Sequence, residues 1–173
     1  MSVTFRPLAP DDLEDLHEMI LRPGVFHGTS RTPYQTRAQM EARLYGPGAT
    51  HTIVAEAEGR AIGYAALARG SDRRAHSASL AIAVDDRWHG QGVGRGLMDA
   101  LLDLADNWLG LVRVELETNI DNDTAIRLYT ACGFEREGVK RAAVLRAGRY
   151  VDSLIMARLR PAPSLLAETG AAQ

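Results

Sequence analysis

A single cysteine, Cys132, occurs among the 173 residues, so no disulfide can form within the chain. A lone thiol next to a helix-ending glycine reads as a small apolar filler. Nor does any apolar run approach the roughly 20 residues that a membrane-spanning helix needs. The opening MSVTFRPLAP lacks the basic-then-apolar pattern of a signal peptide, and a reducing cytoplasm is the expected setting. An excess of one charge is missing too. Twenty Lys and Arg against 22 Asp and Glu leave a formal charge of −2, which argues against a nucleic-acid footprint or a polybasic membrane surface. The histidines (His17, His27, His51, His76, His89) show no ligand spacing, so no metal site is expected. What is present is ordinary for a globular protein: 46% hydrophobic and 24% charged residues. The length suits one domain with its own core. We place that domain at residues 1–160 and read 161–173 (PAPSLLAETGAAQ) as a flexible tail.

Periodicity orders the rest. Residues 3–6 favour a strand, and Pro10-Asp11-Asp12 starts a helix carrying Leu13, Leu16, Ile20 and Leu21 until Pro23-Gly24 stops it. Residues 36–44 form a second helix, closed by Gly46-Pro47-Gly48. Residues 52–56 and 61–68 read as strands joined at Glu58-Gly59. In 78–84, Leu80, Ile82 and Val84 alternate with Ser79, Ala81 and Ala83, giving a strand with one bulky and one small face. Leu97, Met98, Leu101, Leu102, Ala105 and Trp108 form one apolar helical stripe. A strand over 112–118 precedes a helix over 123–131, capped by Asn122 and ended by Gly133. Two more strands, 134–144 and 150–159, flank Ala147-Gly148. The order predicts an α+β, three-layer α/β/α fold: a mixed, mostly antiparallel sheet with helices on both faces.

Between the 78–84 strand and the strongest helix lies DDRWHGQGVGRG, residues 85–96, with glycines at 90, 92, 94 and 96. Exposed backbone amides and a helix N-terminus together suit a pyrophosphate, and Arg87 and Arg95 add charge at the rim. A P-loop is excluded because no lysine follows these glycines. A dinucleotide fingerprint fails on spacing, since its third glycine would fall at Leu97 or Arg95. A plain glycine turn without ligand is the remaining alternative.

A second motif follows about thirty residues later: Asn122, Ala125, Leu128-Tyr129, then Gly133-Phe134. With His89-Gly90-Gln91-Gly92-Val93-Gly94, it makes the chain resemble the GCN5-related N-acetyltransferases. Their cofactor loop reads [QR]-x-x-G-x-[GA], and their next helix carries N-x-x-A-x-x-[LY]-Y before G-F. His89 departs from the first position, where the family has Gln or Arg. The segments 106–109, 146–152 and 156–158 look like a bacterial subgroup that acetylates free amino acids, typically phenylalanine and methionine.

The resemblance implies acetyl-coenzyme A as co-substrate, a small-molecule amine as acceptor, and direct attack within one ternary complex. It implies main-chain contacts from Ile82 and Val84 to the pantetheine arm, with a nearby backbone amide polarising the thioester oxygen. His89, Gly90, Gln91, Gly92, Val93, Gly94 and Arg95 would form the pyrophosphate cradle, and Asn122 would contact pantetheine or simply cap its helix. Tyr129 matches the position that returns a proton to the thiolate. Glu117, twelve residues earlier, matches the glutamate of ribosomal-protein acetyltransferases and is the candidate base; water-mediated deprotonation stays open. His76 could also serve near the acceptor. From position alone, Arg31 or Arg73 would hold an acceptor carboxylate, Asp152 an ammonium group, and Phe26 with Tyr34 an apolar side chain. Two rival readings stand beside this one: acetylation of a protein N-terminus or lysine, and a non-catalytic acyl-coenzyme A sensor. Terminal strands left exposed would allow a homodimer.

Overall fold

Tight turns and alternating strands build the sheet. In the computed structural model, which describes residues 2–46 and 51–161, Glu58 and Gly59 take φ of 54° and 73°, the left-handed pair that a two-residue hairpin requires. They join β2 (His51–Ala57) to β3 (Arg60–Arg69). Ala147 and Gly148, with φ of 49° and 79°, join β6 (Glu135–Arg146) to β7 (Arg149–Leu159). With β1 (Thr4–Pro7), β4 (Ser77–Val84) and β5 (Arg113–Asn119), they form one sheet in the order β1-β2-β3-β4-β5-β7-β6. Only β4 and β5 run parallel; every other pair is antiparallel. The sheet is therefore mixed and mostly antiparallel, as the element order leads one to expect.

Helices cover both faces. On one, α1 (Asp12–Ile20) and α3 (Arg37–Tyr45) bury Leu13, Leu16, Met19, Met40 and Leu44 against Val54, Tyr64 and Ala83. Thr36 and Gln39 exchange side-chain-to-backbone hydrogen bonds at the start of α3, a capping box that satisfies orphan donors. On the other face, α4 (Val93–Asp103) and α5 (Asp123–Ala131) bury Leu97, Met98, Leu101, Ile126 and Tyr129 against Leu80, Val114, Leu116 and Met156. The proposed tail from residue 162 onward and Pro47-Gly48 lie outside the described residues.

Two local expectations need correction. Pro23-Gly24 does more than end α1: Pro23, whose fixed φ suits a first helical position, opens a short helix, α2 (Pro23–Phe26). The stripe of α4 also ends before Trp108. Leu104–Trp108 is a π-helical turn in which Leu109 N–H donates to Leu104 O at 3.0 Å. That wider turn carries Trp108 off the buried side, and the residue is 77% exposed.

The two ends of this helix should respond oppositely to truncation. Leu97→Ala, at a fully buried position, should cost about 2–5 kcal/mol, whereas Trp108→Ala should stay within about 0.5 kcal/mol. Urea midpoints at unchanged m-value read both, and a large loss at Trp108 would contradict its placement.

Candidate active site

The site begins where two strands part. β4 and β5 pair only at Ser77/Arg113, Ala78/Val114 and Ser79/Glu115, although both strands continue for several residues. Backbone direction in the unpaired part follows from the register with β3. Asp85 N–H donates to Ile62 O across the Gly63/Val84 pair, so Gly63 and Val84 are a non-hydrogen-bonded pair. Alternation then turns the N–H and C=O groups of Ile82 and Val84 away from β3, toward the gap that β5 has left. Segment 24–29 spans the mouth. A Cβ on Gly24 would lie 2.8 Å from Asp86, and one on Gly28 would lie 3.4 Å from Asn122 Nδ2. Buried Asn119, at the end of β5, donates to His27 O at 3.2 Å. The result is a cleft of about 590 Å³.

The 85–92 loop is held by its own side chains. Asp85 is almost wholly buried and accepts from the Arg87 backbone N–H (3.0 Å) and guanidinium (Nη2, 2.7 Å). Arg22 Nε stands 3.3 Å from Asp85 Oδ2 but out of line for a hydrogen bond. Burial alone would raise the Asp85 carboxyl; the Arg87 hydrogen bonds and the Arg22 charge outweigh it and hold the group below the usual carboxylate range. Gln91 Nε2 donates to Arg87 O at 2.9 Å. His89 Nε2 lies 2.9 Å from Val84 O, so His89 clasps the end of β4. One of the two Val84 backbone groups facing the gap is thereby satisfied, leaving its N–H.

With the loop fixed from behind, its front is open. Gly90 and Gly92 adopt φ of 74° and 82°, and a Cβ on either would meet no protein atom within 4 Å. Gly92 caps α4, whose first N–H groups have no partner within the helix. These amides line the cleft with Arg95, whose Nε donates to Asp99 at 2.7 Å. A diphosphate fits this combination of open backbone, unpaired donors and helix dipole.

The opposite wall is α5. Asn122 caps it, its Oδ1 accepting from Ala125 N–H at 3.2 Å, and it also lines the cleft. Tyr129 lines the cleft while only 7% exposed, its ring 6.1 Å from that of Phe134. Burial pushes its phenol up to about 12. No hydrogen bond joins its hydroxyl to another described residue, and the phenol remains a proton donor at neutral pH.

The other residues named from sequence lie elsewhere. Glu117 is exposed, on the α1/α3 side of β5, and accepts from Lys140 Nζ at 2.6 Å. Glu115 shares that side and pairs with Arg113 at 2.8 Å. His76 is exposed at the far end of β4, roughly 26 Å along the strand from Val84 at about 3.3 Å per residue. Arg31 is drawn into the helix packing: it bonds the Tyr64 hydroxyl and lies 5.9 Å from that ring's centroid, and desolvation lowers its pKa. Tyr34 is 93% exposed and does not line the cleft. Asp152 accepts from Ala142 N–H at 2.8 Å, at a bulge of β6. The cleft brings together Ile82, Val84, His89, Gly90, Gly92, Val93, Gly94, Arg95, Asn122 and Tyr129. Two polar anchors escape sequence reasoning, Asp85 and Asn119, because an isolated buried polar residue has no periodic signature.

Comparison with known proteins gives the same answer as the geometry. Residues 13–134 match the model of the Acetyltransferase (GNAT) family. The chain belongs to that family and is an acyltransferase. It is 33% identical over 159 residues to the L-amino acid N-acetyltransferase AaaT of Escherichia coli (strain K12), covering 91% of this chain and 98% of that protein. Among solved structures, a phosphinothricin acetyltransferase from Sinorhizobium meliloti in complex with AcCoA superposes with a TM-score of 0.78 at 25% identity, covering 100% of this chain and 93% of the other. Spermidine N-acetyltransferase from Vibrio cholerae, in complex with CoA and spermine, superposes with a TM-score of 0.79 at 26% identity, covering 91% and 95%. Among the described residues, no helix is long and apolar enough to cross a membrane, and no three His, Cys, Asp or Glu side chains gather as a metal would need.

Asp85 gives the loop a pH signature. Its folded pKa lies below the unfolded value, so its stabilisation is present above about pH 4 and is lost as pH falls through the folded pKa. Asp85→Asn should therefore cost about 1–3 kcal/mol at pH 7 and less at pH 3. Equal losses at both pH values, read from urea unfolding, would contradict the role given to this carboxylate.

Proposed function

We propose that this cleft acetylates the α-amino group of a free L-amino acid, with acetyl-coenzyme A as donor. One observation carries the reading: an open amide cradle at a helix start, an unpaired strand edge and a buried, protonated phenol share a single cleft. The similarity to AaaT over nearly the whole of both chains supports the amino-acid acceptor. Relatives named for spermidine and phosphinothricin show that the scaffold serves other amines, so the substrate class is part of the proposal.

Bound acetyl-coenzyme A would supply an activated acyl thioester; the chain's residues would place it and manage the protons. In this reading the amides of Gly90, Gly92, Val93 and Gly94 hold the pyrophosphate, while Gln91 and His89 brace the loop behind them. The free backbone groups of Ile82 and Val84 take the pantetheine arm as an added strand would, with Asn122 facing it. A remaining β4 amide polarises the thioester oxygen.

Tyr129 protonates the departing thiolate. Against a thiol of ordinary pKa near 8.5, a phenol at about 12 would give up its proton uphill by about 5 kcal/mol. A thiolate forming in the same buried cleft is desolvated as well, which raises its own pKa and narrows the gap. Glu117 acts through water. It sits on the sheet face opposite Tyr129's helix, beside the stretch where β5 has left β4, and its carboxylate is shared with Lys140. Residues 1–160 act as one catalytic domain in the cytoplasm, and the exposed edge strand β6 is where a second copy would pair.

The test is a panel of L-amino acids, dipeptides, polyamines and N-terminal peptides assayed for coenzyme A release. Amino acids should turn over with the highest kcat/KM; turnover of polyamines or peptides alone would sink the reading, and binding without turnover across the panel would make the protein a sensor. Tyr129→Phe should lower kcat by about 10²-fold or more. Because burial raises the phenol's pKa, it stays protonated through pH 10, so the unmodified enzyme should show no falling limb from Tyr129 between pH 8 and 10. Glu117→Gln, measured alongside, should lose most at low pH, where the acceptor arrives as ammonium, and least at high pH.

A further inference from the structure

Charge is sparse in this cleft, and its position is informative. Among the described residues that line it, the Asp, Glu, Lys and Arg side chains are Arg95, Asp121 and Arg146. Arg95 stands in the first turn of α4, at the cradle end, already bound to Asp99. The other two form a pair away from the cradle. Arg146, the last residue of β6, reaches back to Asp121, which lies between the end of β5 and the cap of α5. Nη1 donates to Asp121 Oδ1 at 3.2 Å, and Nη2 bonds Oδ2 in the same fork. Across the cleft stands the 24–29 segment, with His27, Gly28 and Thr29 lining its lip.

Such a fork uses one hydrogen on each Nη and leaves the Nε–H and the second hydrogen on each Nη uncommitted. It also fixes the plane of the group, so a second carboxylate can meet it without the entropy cost of ordering a free arginine. Neither Arg31 nor Asp152, both weighed for the acceptor from sequence, lines the cleft; Arg31 is spent on Tyr64 and Asp152 on a bulge of β6. A polyamine would find a single carboxylate here, and that one is already neutralised by Arg146.

We propose that Arg146, held in plane by Asp121, binds the α-carboxylate of the acceptor and makes the enzyme prefer free amino acids to amines that lack that carboxylate. A zwitterion suits the pair on both sides: its carboxylate meets Arg146, and its ammonium group meets Asp121 before losing a proton. This inference rests on the amino-acid reading above and adds the residue that enforces it.

The experiment compares L-amino acids with their amides, which keep the amine and side chain but lack the carboxylate. The unmodified enzyme should favour the acid by at least tenfold in kcat/KM. Arg146→Ala should lower that acid-to-amide ratio by about tenfold or more, through KM for the acid, while KM for acetyl-coenzyme A and the thermal midpoint hold steady. Arg146→Lys, which keeps the charge but loses the fork, should recover only part of the ratio. Asp121→Asn should loosen the acid's KM while leaving the charge on Arg146. An unchanged ratio in Arg146→Ala, or equal losses on acid and amide, would overturn the assignment. Failure of the underlying reading is distinct, because it shows as an unmodified enzyme that acetylates neither acid nor amide.

Discussion

Backbone groups that leave a sheet must find other partners, and between β4 and β5 they leave after three residue pairs. The candidate site is arranged around that parting. The register with β3 turns the Ile82 and Val84 amides and carbonyls into the gap. The α4 and α5 helices, packed so closely that a Cβ on Gly94 would stand 3.2 Å from Leu128, wall it on one side. Segment 24–29 crosses its mouth, tied down by Asn119. A ligand that adds a strand's worth of hydrogen bonds completes the sheet, and in the proposed function acetyl-coenzyme A is that ligand.

The loop after β4 shows how binding geometry is built in advance. Asp85, Arg87, His89 and Gln91 all spend side-chain bonds on the loop's own backbone or on each other. None of that effort is aimed at the ligand. It holds the glycines in left-handed conformations that face the cleft, so the amides need little rearrangement when an anion arrives. His89 departs from the family's Gln or Arg, yet a ring nitrogen at 2.9 Å from Val84 O supplies a clasp. The irregular position is thereby accounted for as part of the loop's internal bracing.

Much of the fold was legible because it is periodic. Alternation found β4 and its two faces, helical spacing found α1 and α4, the cap Asn122 and the ending Gly133 found α5, and turn residues marked both hairpins. The cradle and the Tyr129 helix were legible because their chemistry depends on local motifs. What failed was what depends on three dimensions. Trp108 sits at the right helical spacing, but a π turn intervenes and turns it outward. Glu117 keeps its part in the proposed mechanism, but its place on the sheet face away from Tyr129's helix, paired with Lys140, is set by strand alternation and not by its spacing along the chain. Arg31, Tyr34 and Asp152 were chosen from loop position alone, and loop position does not say which way a side chain turns. Arg146 and Asp121 meet only because a hairpin folds back on the end of β5, which no local pattern announces.

The central claim is that the backbone of the 90–94 loop and the start of α4 take the pyrophosphate of acetyl-coenzyme A. Amide chemical shifts under titration test it most directly, with S-acetyl-pantetheine as the companion ligand because it keeps the thioester arm and lacks the pyrophosphate. The Gly90, Gly92, Val93 and Gly94 amides should shift strongly with acetyl-coenzyme A and stay near their free positions with S-acetyl-pantetheine, while Ile82 and Val84 respond to both. Loop amides that stay still under acetyl-coenzyme A while others move would contradict the account.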